Sequence, residues 1–130
     1  MSDEKTGNPQ KYGAEIDIFE YLRRKTDTTL QNIHWNGYGE KHESTGHDSR
    51  VFGLEKGYHT FALEWTPDSY TFYVDGVETW ETDRAVSHKS EYIILSAEVG
   101  KWAGDIAKAN LPDTVFFDYV RVYKRDEQVK

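Results

Sequence analysis

Glu15, Asp17 and Glu20 are the residues of this chain whose types and spacing could do chemistry. They lie in the stretch Ala14-Glu15-Ile16-Asp17-Ile18-Phe19-Glu20-Tyr21. Tyr12, Ala14, Ile16 and Ile18 occupy even positions and are apolar or small, while Glu15 and Asp17 occupy odd positions, which is the alternation of a β-strand. A strict period of two would place Glu20 on the apolar face, where an unpaired carboxylate is costly. One extra residue, a β-bulge near Ile18-Phe19, returns Glu20 to the face of Glu15 and Asp17. Like charges side by side on a strand are destabilising, so such a row is better explained by chemistry than by stability. Glycoside hydrolysis uses paired carboxylates. In a retaining enzyme one attacks as nucleophile and the other serves as acid and then base, with the two carboxyl groups about 5–5.5 Å apart. Asp17 between them would hold the proton balance, because neighbouring carboxylates push each other's pKa values apart. The plainer reading is a solvated acidic edge strand.

The elements around this strand read as all-β. Seven antiparallel strands are expected, and 130 residues make one domain the natural count. Leu30 to Tyr38 follows the catalytic strand, with His34, Asn36 and Tyr38 on one face and Ile33 and Trp35 on the other. His34, Trp35 and Tyr38 are the candidates for substrate contact from this strand. Residues 39–57 read as a polar loop rich in Gly, His and Ser. No two of His34, His42 and His47 have the spacing of a preformed metal site, so a solvated loop is the better reading. Tyr58 to Trp65, Tyr70 to Val74 and Val77 to Thr82 are further strands. Asp75-Gly76 between Val74 and Val77 is a two-residue hairpin signal. Tyr92 to Val99 reads as a strand with Ile93, Leu95, Ala97 and Val99 toward the core. Ser96 and Glu98 are then expected in the cleft. Trp102, in a Gly-flanked loop, is a candidate for stacking on a sugar face. Val115 to Tyr123 reads as the closing strand.

The net charge of −7 argues against nucleic acid or an anionic membrane as partner. The chain has 4 Trp, 9 Tyr and 6 Phe, rings that suit both sugar faces and β-sheets. With no Cys there is no disulfide framework, thiolate metal site or thiol nucleophile. No apolar run approaches the ~18 residues of a membrane span. The first residues are polar and do not read as a signal peptide. The expected organisation is a disordered leader at 1–11, a sandwich at 12–124 and a charged tail at 125–130.

Glu-Ile-Asp-Ile-Phe-Glu resembles the Glu-x-Asp-x-x-Glu signature of glycoside hydrolase family 16, which includes laminarinases, agarases and carrageenases. The wording from Tyr58 through Thr66-Pro67, followed by Tyr73-Val74-Asp75-Gly76, is similar to the same family. So is the closing strand Val-Phe-Phe-Asp-Tyr-Val-Arg-Val-Tyr. The resemblance runs from about Tyr12 to Tyr123 and covers the second half of a family domain. It implies a concanavalin-A-like jelly-roll sandwich, here incomplete, whose uncovered sheet edges invite self-association. Carried over by position, Glu15 is the nucleophile, Asp17 its assistant and Glu20 the acid/base. The implied activity is hydrolysis of a β-linked polysaccharide of β-1,3-glucan or galactan type, outside the cell or in the periplasm. No cofactor is required, although Asp118 stands where the family has a ligand to a structural Ca²⁺. Glu98 stands where laminarinases carry a small apolar residue. The alternative function is a non-catalytic carbohydrate-binding module, or an inactive half-domain of the same fold.

Overall fold

The computed structural model describes residues 7–125. Six strands form two antiparallel sheets of three. The first sheet has the order β1 (Glu15–Tyr21), β2 (Thr28–Trp35) and β3 (Glu43–Arg50). The second has the order β4 (Phe61–Trp65), β5 (Tyr70–Val74) and β6 (Val77–Thr82). Within each sheet the order in space is the order in sequence, so every connection is a hairpin. Asp75 and Gly76 both have positive φ, at 50° and 77°, as a tight two-residue hairpin turn requires.

The core lies between the sheets. Ala14, Ile33 and Trp35 from the first sheet's side meet Tyr70 and Phe72 from the second, with Val86 beside them. Ile16, Leu63 and Trp80 pack around this cluster. Burial alternates strictly along β2, where Thr29, Gln31, Ile33 and Trp35 are buried and the residues between them are half-exposed. The buried polar residues are satisfied across the interface. Gln31 Nε2 donates to Thr79 Oγ1 of β6 at 2.9 Å, and Ser49 Oγ of β3 donates to Gln31 Oε1 at 2.8 Å. A register shift between Phe72 and Tyr73 on one strand and Trp80 and Glu78 on the other leaves Thr79 without a cross-strand partner. This residue is the one that reaches the opposite sheet.

Several expectations are corrected. The loop expected at 39–57 contains β3. Its sequence Glu-Ser-Thr-Gly-His-Asp-Ser-Arg has no apolar alternation, and eight ladder pairs with β2 supply what the side chains do not signal. The strand expected from Tyr58 begins at Phe61. Pro9–Tyr12, which spans the expected boundary between leader and sandwich, forms a helical turn, α1, capped by Asn8 Oδ1 accepting from the Gln10 N–H. Residues 1–6 and 126–130 lie outside the described residues. Tyr92 to Val99 and Val115 to Tyr123 are not strands. A strand exists only where another backbone pairs with it, and among the described residues neither segment has one. Their apolar side chains accordingly stand in solvent, with Ile93 56%, Leu95 47% and Phe116 71% exposed. Strand-like composition is therefore present in these segments without the pairing that would make it a sheet.

Candidate active site

The bulge organises the site. Glu15 pairs with His34, Asp17 with Asn32, and Glu20 with Leu30, and the register shifts between Asp17 and Glu20. Two residues of β1, Ile18 and Phe19, thus oppose the single residue Gln31. His34, Asn32 and Leu30 are the half-exposed face of β2, so Glu15, Asp17 and Glu20 share that face. The other face is tied to the core. Ile16 packs against the buried cluster, and the bulged Phe19 stacks on Phe61 of β4 with centroids 4.0 Å apart. Moving Phe19 inward is what turns Glu20 outward.

Each carboxylate has its own partner. Tyr38 OH donates to Glu15 Oε1 at 2.5 Å. Asn32 Nδ2 donates to Glu20 Oε2 at 2.6 Å. Asp17 lies between them, with His34 Nε2 at 3.4 Å from its Oδ2. Burial raises the Asp17 pKa to about 7, and the charges of Glu20 and then Glu15 push in the same direction. Burial also lowers the His34 pKa, against the charge of Glu15. With the His34 imidazole lowered below its ordinary 6.5, its contact with Asp17 is not an ion pair near neutral pH. Tyr38 is held protonated by burial, then by its hydrogen bond to Glu15, so it remains a donor there.

The β2–β3 connection delivers Tyr38 and, beside it, His42. Asn36 and Gly37 both have φ of 67°, and the chain turns back over the carboxylate face. Asn36 Nδ2 and Trp35 Nε1 both donate to Glu43 Oε2, at 2.6 and 2.8 Å. His42 stacks on both His34 of β2 and Tyr38 of the connection, with centroids 5.1 Å from each. His34 Nδ1 and His42 Nε2 are 2.9 Å apart.

Of the candidates from the sequence, Glu15, Asp17, Glu20, His34 and Tyr38 come together. Trp35 does not, because the alternation of β2 buries it in the core. Glu98 is exposed in the unpaired segment 92–99, where its hydrogen bond is local, from Ser96 Oγ at 3.0 Å. With no ladder to set its register, nothing fixes it on the cleft face. Trp102 lies in a short 3-10 turn, Lys101–Ala103, and is 51% exposed. Its carbonyl accepts from Arg24 Nε at 3.1 Å, which ties this turn to the β1–β2 connection. Asp118 is exposed in the unpaired segment 115–123. Among the described residues no group of three or more His, Asp or Glu could hold a metal ion. Asn32 and His42 were missed as site residues. Asn32 shares the face of His34 by simple alternation and could have been found that way. His42 carries no signal, because only the turn's conformation brings it back.

The family model for "Glycosyl hydrolases family 16" matches residues 2–121. The chain belongs to that family. It is 33% identical over 114 residues to a beta-glucanase of Paenibacillus macerans, covering 82% of this chain and 45% of that protein. It is 31% identical over 117 residues to a beta-glucanase of Bacillus subtilis (strain 168), covering 85% and 46%. It is 29% identical over 120 residues to the clotting factor G alpha subunit of Tachypleus tridentatus, covering 85% and 18%. A solved structure described by the statement that prominent members of the human gut microbiota express endo-acting O-glycanases to initiate mucin breakdown superposes with a TM-score of 0.52. The two are 25% identical, and the match covers 66% of this chain and 31% of that one. The chain thus spans less than half the length of these relatives, and its two sheets are part of the family's jelly roll. Among the described residues no helix is long and apolar enough to cross a membrane.

Proposed function

We propose that this chain carries the carboxylate machinery of a retaining, endo-acting glycoside hydrolase acting on a β-linked polysaccharide of β-1,3-glucan or galactan type, outside the cell. The observation that supports this reading is the bulge between Asp17 and Glu20, which places three carboxylates on one face of one strand. In the proposed reaction a Glu15 oxygen attacks the anomeric carbon, and the bond to the leaving oxygen breaks as Glu20 gives that oxygen its proton. Glu20 then takes a proton from water, the water oxygen bonds to the anomeric carbon, and Glu15 is released. Tyr38 engages Oε1 of Glu15, which leaves Oε2 as the attacking atom. Asp17, raised to about 7, is partly protonated at neutral pH, which eases repulsion within the row. His34 and Tyr38 are proposed to meet sugar hydroxyls, and Trp102 to offer a ring face at the rim.

The test is Glu15→Gln. The side chain keeps its shape and loses its nucleophilic oxygen, so reducing-end release from a β-1,3-glucan should stop while glycan binding persists. Turnover at the original rate in this variant would remove Glu15 from the reaction. A second reading, a glycan-binding unit without turnover, is favoured by the segments bearing Glu98 and Trp102, which build no paired wall beside the row. Binding by the unaltered chain without reducing-end release would select it.

A further inference from the structure

His42 has no role in the reaction above, yet the fold spends a turn on placing it. Asn36 and Gly37 reverse the chain in left-handed conformations, and His42 returns to stack on His34 with ring planes 13° apart. Its Nε2 lies 2.9 Å from His34 Nδ1. The opposite nitrogen of His34, Nε2, lies 3.4 Å from Asp17 Oδ2. The result is a line of Asp17, His34 and His42 that runs from the middle of the carboxylate row to a half-exposed ring. Around His34 stand Glu15, Asp17 and Glu20 from β1 and Tyr38 and His42 from the connection, and its cross-strand neighbour on β3 is the uncharged Ser44.

We propose that His42 and His34 form a proton relay between solvent and Asp17, with His42 as the positioning residue that sets the tautomer of His34. Two imidazoles joined through one N–H have two consistent arrangements. In the first, Asp17 is ionised, His34 carries its proton on Nε2 and turns it toward Asp17 from the 3.4 Å contact, and His42 Nε2–H donates to His34 Nδ1. In the second, Asp17 is protonated and donates to His34 Nε2, His34 Nδ1–H donates to His42 Nε2, and His42 carries its proton on Nδ1. The two differ by one proton. A proton arriving at His42 Nδ1 moves the Nε2 proton of His42 to His34 Nδ1, and the Nε2 proton of His34 to Asp17. Each nitrogen gains one N–H bond or loses one, no ring ends charged, and the reverse sequence returns the proton to water.

This inference deepens the glycosidase reading, in which the proton on Asp17 supports Glu15, but its test needs no turnover. An inactive chain would sink that reading and leave this one standing, and a failed relay would do the reverse. The experiment is long-range ¹H–¹⁵N correlation of the imidazoles during a pH titration. As the pH falls through the Asp17 midpoint near 7, both rings should exchange an Nε2–H for an Nδ1–H signature together. In Asp17→Asn that coupled exchange should be lost. In His42→Gln the amide can donate to or accept from His34 Nδ1 but passes no proton, so His34 should still exchange tautomers, with a slower rate. In His42→Phe, which keeps a stacking ring, the tautomer of His34 should no longer be fixed. The relay is overturned if either ring of the unaltered protein holds one tautomer throughout, or if His34 in His42→Gln exchanges as fast as it does in the unaltered protein.

Discussion

Gly46→Ala tests how Glu20 is held. Gly46 lies on β3 directly opposite Asn32. A Cβ at residue 46 would overlap Asn32 Oδ1 and lie 3.1 Å from Asn32 Cγ and 2.9 Å from the carbonyl oxygen of Gln31. The backbone of Gln31 belongs to the central strand, paired on both sides, and cannot retreat far. The Asn32 side chain can rotate, but only by giving up its 2.6 Å hydrogen bond to Glu20. Overpacking typically costs about 1–3 kcal/mol. A hydrogen bond to a charged group contributes roughly 1.5–3 kcal/mol, with the lower end apt for this half-exposed pair. The expected destabilisation is therefore roughly 2–4 kcal/mol. The assay is urea unfolding of four proteins: the unaltered chain, Gly46→Ala, Asn32→Ala and the double variant. If the clash acts through Asn32, the double variant should be more stable than the sum of the singles predicts, by about 1 kcal/mol or more. Strict additivity, or a Gly46→Ala protein within about 0.5 kcal/mol of the parent, would refute the argument that Gly46 exists to make room for Asn32.

Other consequences can be checked in the same format. Asp17 has a folded pKa raised from 3.8 to about 7, so the native state binds the extra proton in that window and its contribution to stability falls as pH rises across it. Asp17→Asn should remove this slope, and an unchanged slope in urea midpoints across the window would contradict the burial of Asp17. His59 has the same sign for a different reason. Its Nδ1 meets Asp75 Oδ2 at 2.7 Å and its Nε2 meets the carbonyls of Gly53 and Lys56, so both nitrogens face acceptors and only the imidazolium satisfies both. The hydrogen bond to Asp75 raises its pKa above 6.5. The stability it contributes is complete below that ordinary value and is lost as pH rises through the folded one. His59→Ala should flatten this loss, and a steeper decline in the variant would count against the double-acceptor geometry. Trp102→Ala should weaken oligosaccharide binding more than it lowers the melting temperature, since the ring is exposed. A large drop in melting temperature with normal binding per folded molecule would place Trp102 in the structural core instead.

The carboxylate face was legible from the sequence because strand periodicity is a local property. The parity of Glu15, Asp17 and Glu20 demanded an irregularity between the last two, and the register shift occurs there. Val74-Asp75-Gly76-Val77 likewise carries its turn in its own residue types. What escaped depends on partners distant in sequence. The polar residues of β3 become a strand only because β2 offers them eight ladder pairs. Tyr92 to Val99 and Val115 to Tyr123 have strand-forming side chains, but backbone hydrogen bonds to a neighbour make a strand, and these segments have none among the described residues. The same reason removed Glu98 from the site while His42 entered it. A residue two positions along a strand has its face set by its own chain. A residue beyond a turn has its place set by the turn's conformation, and here the left-handed Asn36-Gly37 pair folds the connection back over the carboxylates.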